Sequence, residues 1–122
     1  MLKTTFIFFT VAFTLLVSVD SMAEPVLQGP GIVLVGPVPI TKFRTGNAGD
    51  VFHIETGQPI VNPANCHNPG DYTAEINAPG YTTYLSTAFM AMAMKKPVSI
   101  LVSDTYCGTR DRPQIIGITI VP

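Results

Sequence analysis

Cys66 and Cys107 are the only cysteines of the 122-residue chain, and a thiol is where nucleophilic, redox or metal chemistry would most readily start. Cys66-His67 with Asp71 offers three ligand types for a metal. Zinc, however, normally takes four ligands at local spacings, and ligation needs Cys66 as a free thiolate. Cys107 is a nucleophile only under the same condition. Two thiols in an oxidising compartment pair most simply as one disulfide, and two free, unrelated thiols are the other reading. Elsewhere the signals for catalysis are poor. No G-x-S-x-G, H-E-x-x-H or paired C-x-x-C occurs, so no catalytic residue, metal or cofactor is assigned.

Polar residues that can bind are easier to find. Arg44, Asn47, Asp50, His53 and Tyr106 together offer planar donors, acceptors and an aromatic platform, which is what sugar recognition requires. For each of them the alternative is an ordinary exposed residue. His53 lies beside Glu55 on the polar phase of a strand pattern, and a solvated sheet face accounts for it.

These residues have to be positioned by a small set of elements. Gly and Pro crowd 24–39 around the apolar group Ile32–Val35, which suits an edge strand. Ile40–Thr45, the turn 45–50 and Val51–Glu55 predict a β-hairpin. It carries Lys42 and Arg44 on one strand and His53 and Glu55 on its partner. A loop over 57–70 contains Cys66, and Tyr72–Ile76 alternates as a third strand.

Tyr81, Tyr84, Leu85, Ala88, Phe89 and Met92 then recur at helical spacing and predict one helix over 81–94. Asn77 and Pro79 stand where a cap and a first-turn proline belong, and Lys95, Lys96 and Pro97 close it. Its other face is uncharged. Thr83, Thr87, Met90 and Met94 on that face can pack against a neighbouring protomer, or lie under the chain's own N-terminal segment. Val98–Ser103 and Ile115–Val121 predict two last strands, with Cys107 in the link between them. The fold class is mainly β with one helix, in the order β-β-β-α-β-β.

Compartment follows from the first residues. Lys3 precedes the apolar run Phe6–Val17, which is shorter than the roughly 20 residues that span a bilayer. Ser21-Met22-Ala23 is a small-x-small site, so residues 1–23 read as a signal peptide cleaved after Ala23, with a retained anchor as the alternative. Residues 24–122 then form one secreted or periplasmic domain without a membrane span. With seven Lys and Arg against eight Asp and Glu, the formal net charge is −1. Nothing in that balance neutralises phosphates, which argues against nucleic acid as a partner.

Three strands, a helix and two strands is the order of the OB-fold, a five-stranded Greek-key barrel. The run Val38-Pro39-Ile40-Thr41-Lys42-Phe43-Arg44-Thr45-Gly46, followed by Val51-Phe52-His53-Ile54-Glu55, resembles the opening hairpin of the B subunits of subtilase cytotoxin and its pertussis-like AB5 relatives. The helix, then Lys96-Pro97-Val98-Ser99-Ile100 and a cysteine, is similar to their central helix and fourth strand. Asn62-Pro63-Ala64-Asn65-Cys66 and Arg112-Pro113-x-Ile115-x-Gly117 resemble stretches of small secreted proteobacterial proteins of the same pattern. The resemblance covers Val38 to Val121. It implies a five-stranded OB-fold barrel, a glycan ligand, a pentameric ring with the helices at its centre and, in the toxins, an A subunit as partner. One departure stands out. Where the toxin subunits have a serine with a nearby acid to contact the sugar acid, this chain has Leu34-Val35-Gly36-Pro37, so those pocket residues do not carry over.

Overall fold

The computed structural model describes residues 26–29, 31–46 and 51–122. The expected signal peptide, Asn47 and Asp50 lie outside them. Seven strands and one helix are described: β1 (Val26–Gly29), β2 (Ile32–Val38), β3 (Ile40–Thr45), β4 (Val51–Thr56), β5 (Tyr72–Glu75), α1 (Tyr81–Ala93), β6 (Val98–Gly108) and β7 (Arg112–Ile120). The strands hydrogen-bond in the order β1-β2-β6-β7-β5-β4-β3. Every neighbouring pair is antiparallel except β5 and β7, which run parallel through Thr73 and Gln114. The ends of the order, β1 and β3, are not paired with each other, so hydrogen bonds do not close the sheet.

The Gly- and Pro-rich stretch forms two strands where one edge strand is expected. β2 is an interior strand, bonded to β1 on one side and to β6 on the other. It accommodates Pro37 because the register with β6 breaks between Val35 and Val38, where no ladder donor is required. Gly36 makes this bend with φ at 112°, and a Cβ there would stand 2.6 Å from the Val98 carbonyl oxygen. Only glycine fits so close to the neighbouring backbone. Pro39 alone then separates β2 from β3, and the ladder changes partner across it: Val38 lies opposite Val98 of β6, Ile40 opposite Thr56 of β4.

The apolar faces of these strands converge on one core, with Phe52, Ile54, Tyr72, Ile100, Val102 and Ile115 essentially inaccessible to water. Each such side chain contributes about 1.5–3 kcal/mol by burial. α1 packs on β3, β5 and β7, and Ala88 and Ala91 are its buried residues. Their small side chains let the helix axis approach the sheet closely. The Tyr84 hydroxyl donates to the Ile116 carbonyl at 2.8 Å, and Tyr81 and Phe43 flank Phe52 at ring separations of 5.6 and 5.8 Å.

Both ends of the helix differ from expectation. Asn77 does not cap it. Tight turns from Glu75 to Ala78 and from Ala78 to Tyr81 carry the chain out of β5, and Gly80 takes the cap position in the left-handed region. At the other end Lys96 N–H reaches the Ala91 carbonyl and Lys95 N–H the Met92 carbonyl, with Lys95 at φ 54°. That is a Schellman closure with lysine where glycine is preferred, and both lysines lie beyond the last turn. The expected link 104–113 also shrinks. β6 continues to Gly108 and β7 starts at Arg112, which puts Cys107 in a strand.

Candidate functional site

Arg44 on β3 and Thr73 on β5 are the pairing partners of His53 on β4, and Gln114 on β7 follows Thr73. The four form a polar row across four strands, on the face opposite Phe52 and Ile54. β4 is buried nearly throughout, because it lies between two strands and both its faces are covered. This corrects the expectation of a solvated face for His53, which is only 2% exposed. Alternation along β4 marks two covered faces, one apolar and one polar, and a polar covered face looks solvated when read residue by residue.

What lies against this row is Asp71, the residue just before β5, at 1% exposure. Arg44 donates through Nη2 to one carboxylate oxygen. Arg112 donates through Nη1 to the other at 2.6 Å, and His53 Nδ1 lies 3.4 Å from that same oxygen. Two guanidiniums thus share one carboxylate, so the arginines outnumber the acid by one. Each arginine commits a single nitrogen. Nε of Arg44, Nε of Arg112, Nε2 of His53 and the Thr73 hydroxyl are all buried without a hydrogen-bond partner among the described residues. Gly108 admits this packing, since a Cβ there would come 2.8 Å from the Thr73 hydroxyl.

A clasp beside the cluster holds Arg112 and Asp71 together. The Cys66–Cys107 disulfide joins the 57–70 loop to β6, with S–S at 2.01 Å. In the β6–β7 turn Arg110 and Asp111 both adopt φ 60°. The Asp111 carboxylate receives the His67 backbone N–H at 3.0 Å and pairs with the His67 ring, while its carbonyl accepts Asn68 N–H at 3.0 Å. These bonds from His67 hold the Asp111 carboxyl below the ordinary value of 3.8. Burial pushes the Tyr72 phenol up, partly offset by the Val61 N–H that it accepts.

Cys66, His67 and Asp71, the three ligand types that the sequence places near one another, are separated by partner. Cys66 is in the disulfide, His67 is on Asp111, and Asp71 is on the arginines. Cys66, Cys107 and Asp111 do lie close together, but a disulfide sulfur is not a thiolate ligand.

Of the expected ligand residues, Arg44 and His53 meet in the cluster and Tyr106 stands apart, about half exposed on β6. On α1, Thr83 is exposed and Thr87 half-buried. Thr87 returns its hydroxyl to the Thr83 carbonyl at 2.8 Å. Met90 and Met94 are exposed, as is Phe89 at 65%, although its spacing places it on the inner stripe. Phe89 touches only the rim, edge-on to Phe43, and with Phe43, Thr45, Leu85 and Ser86 it lines an open groove. No helix among the described residues is long and apolar enough to cross a membrane. Comparison with protein-family models, curated proteins and solved structures returns no match.

Proposed function

We propose that this chain is a secreted or periplasmic, non-catalytic binding module of OB type that self-associates through α1. The barrel reading is supported by the Pro39 junction, which makes β2 and β3 two halves of one bent strand, one bonded to β6 and the other to β4. A parallel β5–β7 pair and a helix between β5 and β6 also support the OB reading. The disulfide supports an oxidising compartment. A carboxylate enclosed by two guanidiniums is not offered to a substrate, which favours a structural or binding use of Asp71 over a catalytic one.

The observation that carries self-association is the outer surface of α1. Phe89, Met90 and Met94 are each more than half exposed, and no charged residue occurs from Tyr81 to Met94. An exposed apolar helix face without charge fits an interface between like surfaces. A ring of five is the assembly that the resemblance suggests, and glycans are the ligand class it suggests, with Arg44 and Tyr106 at accessible positions. Several weak sites on one ring would bind with avidity. The molecular mass of the exported protein in solution tests the assembly, with Met90→Lys/Met94→Lys as the variant that should remain monomeric.

A further inference from the structure

We propose that Arg44 and Arg112, gathered on Asp71, form the binding site for one oxyanion group of the ligand: a carboxylate, or a sulfate or phosphate ester. This rests on the binding-module reading and supplies its ligand chemistry. Asp71 compensates one guanidinium of the two, so the cluster retains a positive charge shared between the partly exposed Arg44 and the largely buried Arg112. An unpaired charge there is costly, and a second anion removes the cost. The hydrogen-bonding capacity is present as well. A guanidinium carries five N–H donors, and each arginine spends one on Asp71.

Access is one-sided. The Arg44 side chain is 39% exposed and that of Arg112 14%, whereas Asp71 is closed off. An anion can therefore meet both guanidiniums from the solvent side, with Asp71 holding them from beneath. Lys42, the other cation of β3, is already paired with Glu55 at 3.4 Å. Geometry thus sets Arg44 apart as the cation at the mouth of the site, with planar donors suited to bidentate recognition.

The Nε–H resonances of Arg44 and Arg112 in ¹H–¹⁵N spectra give a direct reading. Sodium sulfate and sodium acetate should each be titrated against sodium chloride at equal ionic strength. We expect a saturable shift with one of the two oxyanions and none with chloride, and binding about tenfold or more weaker in Arg44→Gln. Saturation by acetate assigns a carboxylate group, and saturation by sulfate assigns an ester of tetrahedral geometry. Equal responses to all three salts, or full affinity in Arg44→Gln, would overturn the site. Arg44→Lys keeps the charge without the fork and guards against a variant that fails to fold; wild-type affinity in it would also contradict planar recognition. A protein that self-associates yet ignores both oxyanions refutes this site and leaves the interface reading standing.

Discussion

Asp71 is the residue on which most of the second sheet face depends. It lies 27 residues from Arg44 and 41 from Arg112, and its carboxylate ties side chains of β3, β4 and β7 to one point. Removing it would leave two guanidiniums, one of them largely buried, without their shared counter-charge. Asp71→Ala is therefore expected to cost about 3 kcal/mol, read as a lower denaturant midpoint with an unchanged slope. Asp111 makes a smaller, pH-dependent contribution. Its folded value lies below 3.8, so its stabilisation is fully present above that pH and is lost as pH falls through the lower folded value. Protection of the His67 amide relative to its intrinsic exchange rate should hold down to about pH 4 and fall below it, and Asp111→Asn should remove that pH dependence. Neither residue's role was legible in the sequence. Ion pairs across dozens of residues leave no local spacing, and His53 looked solvated because covered polar faces and wet ones alternate alike.

At the scale of elements the reading went further. The hairpin β3–β4, the strand β5, the single helix and the pair β6–β7 all follow from alternation, turn residues and the 3.6-residue stripe. Arg44 and His53 do lie on adjacent strands as that hairpin implies. What escaped was the interior strand β2. Gly36 and Pro37 argue against a central strand until the register break beside β6 is known. Phe89 escaped for another reason. A stripe fixes which side of a helix is apolar, but Ala88 and Ala91 decide how closely it docks, and the stripe is wider than the contact. The helix C-terminus yields a prediction at this scale. Lys95 holds the left-handed position that a Schellman closure gives to glycine. Lys95→Gly should raise stability by about 1 kcal/mol, seen as a higher melting temperature with an unchanged fold.

For the molecule as a whole, one junction and one surface matter most. Across Pro39 the chain changes its pairing partner from β6 to β4, and the disulfide clasps the long loop to the far end of β6. Together they hold the Asp71 cluster on one face while α1 covers the core on another. The helix leaves Phe89, Met90 and Met94 in solvent, and the proposed self-association rests on that surface. Composition already pointed to an uncharged helix; only the packing revealed how much of it lies open. Light-scattering mass determination on the purified protein, across a range of concentrations, addresses this most directly. A mass several times that of one chain, collapsing to one chain in Met90→Lys/Met94→Lys, is the predicted result. A wild-type protein that remains a single chain at every concentration would contradict it.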